Sequence, residues 1–121
     1  MKKIITFIIP SYNVEHCLDK CLRSFLELSV LDRMEILIIN DGSTDGTEKA
    51  ALPYIKKYPS SYQIISKANG GHGSAINAGS LAAKGQYFKV IDADDWVVTS
   101  HLPEFVRRLE QCQADMVLTP F

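Results

Sequence analysis

Asp92, Asp94 and Asp95 place three carboxylates within four residues, directly behind the apolar run that ends in Val90-Ile91. Adjacent negative charges repel, and no packing requirement puts them side by side. A multivalent cation would offset that repulsion. Hard cations such as Mg²⁺ and Mn²⁺ prefer carboxylate oxygens, and Mg²⁺ is commonly held by one or two carboxylates together with substrate phosphates. In extended backbone, residues two apart point to the same side. Asp92 and Asp94 therefore face one site and Asp95 faces away. The cluster reads as a metal–diphosphate site at the end of a strand. A solvated acidic turn is the plain alternative.

Two more polar clusters follow apolar runs. Pro10-Ser11-Tyr12-Asn13 succeeds residues 4–9, and Asn40-Asp41-Gly42-Ser43 succeeds residues 35–39. The Tyr12 ring offers a stacking face for a base, or ordinary packing for a half-buried tyrosine. Asp41 can accept a hydrogen bond from a base N–H, or cap a turn, which Ser43 and Thr44 could do without it. Lys67 and Asn69 flank the loop Gly70-Gly71-His72-Gly73, where glycine permits close backbone approach to a ligand. Lys67 could reach a base edge or a phosphate; a solvated lysine beside a turn asparagine is equally consistent. His72 suits a phosphate contact or a plain surface position. Gly71-x-Gly73, with Asp92 about 20 residues on, faintly matches a dinucleotide fingerprint. Ile76 fills the third glycine position, however, and the loop follows the third strand instead of the first.

The elements that must position these clusters alternate. Strands are expected at residues 4–9, closed by Pro10, and at 35–39, 63–66, 87–91 and 115–119. Helices are expected at 14–28 with Asn13 as cap, from Ser43 or Thr44 to 57 with Pro53 as an interruption, at 74–83, and from Thr99 or Ser100 to 113. That order predicts an α/β fold: a mainly parallel, Rossmann-like sheet flanked by helices on both faces. In such sheets ligands bind at the carboxyl ends of the strands, where all three polar clusters fall.

Composition narrows the classes. The 121 residues suffice for one domain with its own core, at 46% hydrophobic and 22% charged. A net charge of −1 gives no basic surface for nucleic acid or anionic lipid. No apolar run is long enough to cross a membrane, and residues 1–9 lack the cleavage site of a signal peptide. Cys17 and Cys21 share a helical stripe with Val14, Leu18, Leu22 and Phe25, so they read as buried reduced thiols; with Cys112 they suggest no disulfide framework and a cytoplasmic setting. The chain stops at Pro120-Phe121, at the end of an expected strand, and reads as cut. A cut sheet would expose an edge that favours self-association into a homo-oligomer.

Four segments occur in the order of a known family. They are Phe7-Ile8-Ile9-Pro10-Ser11-Tyr12-Asn13, Ile38-Ile39-Asn40-Asp41-Gly42-Ser43-Thr44-Asp45, Asn69-Gly70-Gly71 leading to Asn77-Ala78-Gly79, and Asp92-Ala93-Asp94-Asp95. Together they resemble the nucleotide-sugar-binding half of a family 2 inverting glycosyltransferase with the GT-A fold, over nearly the whole chain. The resemblance implies a nucleotide-diphosphate-sugar donor, such as a UDP-sugar, a saccharide or lipid-linked acceptor, and Mg²⁺ or Mn²⁺. It implies that Tyr12 lies on uracil and that Asp41 reads the uracil imide. Asp94 would coordinate the metal, Asp92 would bind the ribose or assist the metal, and Asp95 would bond backbone donors. Pro10, Ser11, Asn13, Ser43, Lys67, Asn69, Gly70 and Ala93 complete the expected donor wall. Trp96 is expected to pack over the loop as core, or to border the sugar pocket.

One position departs from the pattern. Ile76 stands where many relatives carry arginine, which leaves Lys67 or His72 to supply a phosphate or base contact. The resemblance also places the general base beyond Phe121, so residues 1–121 would be the donor part with the acceptor part absent. The resemblance further implies a role in building cell-surface polysaccharides or glycolipids, which would put the active site near the inner face of the membrane. The rival readings are a non-catalytic nucleotide-binding module, a nucleotidyltransferase, which usually needs a Gly-rich basic loop after the first strand, and a dehydrogenase, which fails on the missing glycine.

Overall fold

The computed structural model describes residues 3–111. Four strands, β1 (Ile5–Ser11), β2 (Met34–Asp41), β3 (Tyr62–Lys67) and β4 (Tyr87–Val90), form one sheet in the order β3-β2-β1-β4. Every neighbouring pair is parallel. β1 and β2 occupy the centre, and their aliphatic runs are buried on both faces, as a sheet covered on both sides requires. The expected strand at 115–119 and Cys112 lie outside the described residues.

Four helices cover the sheet: α1 (Leu18–Arg23), α2 (Thr47–Lys57), α3 (His72–Ala82) and α4 (Leu102–Gln111). On one face Phe7 and Ile9 pack with Leu18, Leu22, Ala51, Phe105 and Val106, so α1, α2 and α4 share this layer. The Phe7 ring lies 4.7 Å from Phe25 and 6.3 Å from Phe105 between centroids. On the opposite face Ile8, Leu37 and Ile39 pack against Ala75, with Ala78 and Ala82 beside it, so α3 covers that side.

Several boundaries differ from the sequence expectation. β1 runs through Pro10 to Ser11 instead of ending at Pro10. The Ile91 N–H donates to the Ile8 carbonyl, so Ile8 and Pro10 turn their peptide groups towards β4. The β1–β4 pairing stops at Ile8 and Val90. The N–H that proline lacks thus falls where the ladder has already ended. α1 is only six residues long and starts at Leu18. Asn13 does not cap it; Asn13 adopts φ 51° and its side-chain oxygen accepts the Thr44 N–H at 2.8 Å. α2 begins at Thr47, where Asp45 Oδ1 accepts the Thr47 N–H, and it continues through Pro53. α3 begins at His72, two residues early, and a 3₁₀ turn at Thr99–His101 leads into α4.

The turn from α3 into β4 is set by a buried carboxylate. Glu35 Oε1 accepts the Thr6 hydroxyl at 2.7 Å and the Lys84 N–H at 2.9 Å, and Thr6 Oγ1 accepts the Gly85 N–H. A Cβ at Gly85 would lie 2.6 Å from the Thr6 nitrogen. This tie fixes where β4 enters the sheet, and hence where Asp92 to Asp95 emerge.

Candidate active site

The loops after β1 and β2 are stitched together. Asn13 N–H donates to Ser43 Oγ at 3.0 Å and Val14 N–H to Thr47 Oγ1 at 2.9 Å. Glu15 N–H donates to Asp45, and Glu15 Oε2 accepts the Gly46 N–H in return. These bonds cross between the two loops, so Tyr12 and Asp41 are held in a fixed relation.

Asp41 organises the glycine loop. Its Oδ1 accepts Lys67 Nζ at 2.8 Å and the Gly70 N–H at 3.0 Å; its Oδ2 accepts the Gly71 N–H at 2.9 Å. The Asn69 side chain donates to the Asp41 carbonyl. Hydrogen bonding from Lys67 first, and from Gly70 next, holds the Asp41 carboxyl below the usual carboxylate range. A carboxylate has about four acceptor sites. Three are filled here, and Oδ2 keeps room for one more donor. Gly42 takes φ 75° directly under this loop, where a Cβ would meet the Asn69 nitrogen at 2.7 Å. Glycine is required there on both counts.

Two clefts adjoin at the carboxyl edge of the sheet. The first, about 170 Å³, is lined by Pro10, Ser11, Tyr12, Asp41, Asn69, Gly71, His72 and Ala75. Tyr12 is 52% exposed, so its ring is open to a ligand. The second, about 470 Å³, is lined by Pro10, Tyr12, Asn13, Val14, His16, Cys17, His72, Asp92, Ala93 and Asp94. Pro10, Tyr12 and His72 belong to both, so the two form one groove running from Asp41 to Asp94.

The expected site residues therefore divide into two groups. Pro10, Ser11, Tyr12, Asn13, Asp41, Asn69, Asp92, Ala93 and Asp94 line the groove. Ser43, Lys67 and Gly70 stand behind it, bonded to Asn13 or Asp41. Lys67 is consequently engaged with Asp41, whereas His72 sits where the clefts meet. Ile76 lines neither cleft.

The acidic segment folds into a turn in which the Asp95 N–H donates to the Asp92 carbonyl. Asp95 Oδ1 accepts the Trp96 N–H at 3.2 Å, a local structural bond. Asp92 and Asp94 are exposed on the cleft wall. Two carboxylates on one wall fit a divalent cation that completes its shell with diphosphate and water. Among the described residues no group of three or more His, Cys, Asp or Glu side chains forms a ready cage.

Two expectations require correction. Trp96 is not core: it is 50% exposed, and Lys20 Nζ lies 3.8 Å from its ring centroid. Cys17 is not buried with Cys21. It is half-buried on the cleft wall, while Cys21 is fully buried and its thiol is pushed up to about 12 by burial. A helix starting at Val14 would put Cys17 on its buried stripe; the shorter α1 leaves His16 and Cys17 in the preceding turn, on the cleft wall, and the sequence pattern carries no signal for His16.

The model described as Glycosyl transferase family 2 matches residues 6–121. The chain belongs to glycosyl transferase family 2. A Bacillus subtilis protein named as the uncharacterized glycosyltransferase EpsJ is 36% identical over 117 residues, covering 97% of this chain and 33% of its own length. The Streptococcus pneumoniae glycosyltransferase GlyA is 32% identical over 114 residues, covering 94% of this chain and 16% of its own length. Among solved structures, Staphylococcus aureus TarS 1-349 in complex with UDP-GlcNAc matches with a TM-score of 0.70 and 26% identity, over 92% of this chain and 32% of that one. The α/β sheet of this family 2 chain is thus that of GT-A glycosyltransferases. The chain spans about a third of the length of EpsJ.

Proposed function

We propose that this chain is the donor-binding part of an enzyme that transfers a sugar from a nucleotide-diphosphate sugar, a UDP-sugar, to an acceptor hydroxyl with inversion. The observation that carries this reading is the continuous groove from Tyr12 and Asp41 to Asp92 and Asp94. Its length order suits a base at one end, a ribose and diphosphate in the middle, and the sugar at the acidic end. Tyr12 supplies the stacking face. Asp41 has one acceptor site left for a base N–H, and its glycine clamp shapes the pocket around that base. His72, at the junction, takes the phosphate-side role that arginine at position 76 would otherwise fill.

Asp94 and Asp92 would hold a Mg²⁺ or Mn²⁺ ion, which when bound would offset the charge that develops on the departing diphosphate. Asp92 would share its contact with the ribose. The acceptor-side general base that inversion requires is assigned to the parent enzyme outside this chain. A saccharide or lipid-linked acceptor, met at a cytoplasmic membrane face, completes this proposal for the parent enzyme.

Calorimetry with UDP, with and without Mn²⁺, tests the reading. UDP is expected to bind the folded chain more tightly with Mn²⁺, and Asp94→Ala should abolish that metal dependence without unfolding the protein. A folded sample that binds no UDP in either condition would refute the donor-groove reading.

A further inference from the structure

An anionic ligand entering the groove meets few groups of opposite charge. No lysine or arginine is among the residues that line either cleft. Lys67 is paired with Asp41 at 2.8 Å, behind the wall. Asp92 and Asp94 add negative charge to the second cleft. A diphosphate there therefore needs hydrogen-bond donors besides a bound metal. Of the lining side chains, only His16 and His72 can carry positive charge. An imidazole donates a hydrogen bond in either protonation state. Neither ring has a hydrogen-bond partner among the described residues.

The two histidines stand at different places. His72 belongs to both clefts, whereas His16 belongs only to the one that holds Asp92 and Asp94. His72 is thus on the side of the base and His16 on the side of the acidic turn. The residues after His16 support that placement. Asp94 is near enough to Cys17 to raise its thiol, and the Cys21 thiol lies 3.9 Å from the Asp92 carbonyl. The start of α1 and the acidic turn therefore adjoin.

The turn that carries His16 is pinned on both sides. Before it, the Glu15 N–H donates to Asp45 Oδ2 and Glu15 Oε2 accepts the Gly46 N–H at 3.1 Å. After it, the Cys17 N–H donates to the Val14 carbonyl at 3.0 Å. The His16 side chain itself is exposed. An open side chain on a fixed turn meets a ligand without the cost of ordering the segment.

We propose that His16 donates a hydrogen bond to the phosphate of the nucleotide diphosphate that lies nearer the sugar, beside the metal held by Asp94. This rests on the donor-groove reading and adds to it a second phosphate contact, separate from that of His72.

Calorimetry with UMP and with UDP, each with and without Mn²⁺, tests the contact on the native chain, His16→Ala and His16→Arg. UMP lacks the second phosphate. His16→Ala should weaken UDP roughly tenfold and leave UMP within about twofold of native. The gain that Mn²⁺ gives to UDP should persist in His16→Ala. His16→Arg, which donates to phosphate but offers a metal no lone pair, should restore UDP affinity. Circular dichroism should match the native chain in both variants. Equal losses for UMP and UDP, or no restoration by arginine, would overturn the proposal. Loss of the Mn²⁺ gain in His16→Ala would make His16 a metal ligand and overturn it too. If UDP binds all three proteins equally, the His16 contact is refuted and the donor reading stands. If UDP does not bind the native chain, both fall.

Discussion

Lys67 Nζ lies 2.8 Å from Asp41 Oδ1, joining the adjacent carboxyl ends of β3 and β2. The pair faces the back of the groove, where it holds the glycine loop in place instead of presenting a free cation. Asp41 is thereby both a wall of the pocket and the anchor of the loop that forms the opposite wall.

Asp41→Asn is therefore expected to weaken UDP binding by about tenfold or more while circular dichroism stays native. Lys67→Met should cost less, because the Gly70 and Gly71 amides still hold the carboxylate. The pH dependence has a definite sign. Asp41 is more acidic in the folded chain, chiefly through Lys67. Its contribution is complete above the ordinary aspartate value of about 3.9 and is lost as pH falls through the lower folded value. UDP affinity measured by calorimetry should show no loss from this group between neutral pH and about pH 5. An Asp41→Asn variant with native affinity would remove Asp41 from the site.

Tyr12 gives a second measurement, because its two functional parts can be separated. The ring is half exposed on the groove wall. Loss of base stacking costs about 1–3 kcal/mol, so Tyr12→Ala should weaken UDP by about tenfold to a hundredfold. Tyr12→Phe keeps the ring and should bind within about twofold of the native chain. Equal losses in both variants would assign the contact to the hydroxyl.

Much of this arrangement is legible in the sequence. Alternating apolar runs and polar strand ends identify the parallel sheet and place Tyr12, Asp41 and Asp94 at one edge. Short local order was less legible. Asn13 is a good helix cap by type, yet in the structure its oxygen is bonded to Thr44, thirty-one residues away in sequence. Cys17 fits a helical stripe only if the helix begins at Val14, and the bonds from Asn13 and Val14 to Ser43 and Thr47 delay that start. Lys67 has the type of a ligand contact, and only the fold reveals that Asp41 occupies it. In each case a contact between distant loops outweighed a local preference.

Gly79 tests how closely α3 must approach the sheet. A Cβ there would meet Ile8 Cγ2 at 2.5 Å. Alanine gains about 1 kcal/mol in helix propensity, but overpacking a tight contact costs about 1–3 kcal/mol. Gly79→Ala should therefore lower the urea midpoint or at best leave it unchanged. The cost should shrink in an Ile8→Ala background, which removes the opposing methyl, and a double-mutant cycle measures that coupling. A clear rise in midpoint for Gly79→Ala alone would show that the helix can move away from β1 freely.

Cys17 offers a chemical probe of the acidic cleft. Burial raises its thiol above the ordinary value, and the neighbouring Asp94 adds to the shift, so its reaction with maleimide should be slow at neutral pH. Cys21 should be slower still, since it is fully buried with its thiol at about 12. In a Cys112→Ser background, mass spectrometry after timed labelling should find the first adduct on Cys17. UDP with Mn²⁺ should protect it, because Cys17 shares the cleft wall with Asp92 and Asp94. Asp94→Ala removes one source of the raised thiol value, so labelling without ligand should quicken. It should also abolish the extra protection that Mn²⁺ provides. Labelling of Cys17 that is indifferent to saturating UDP would show that the nucleotide does not extend along this wall.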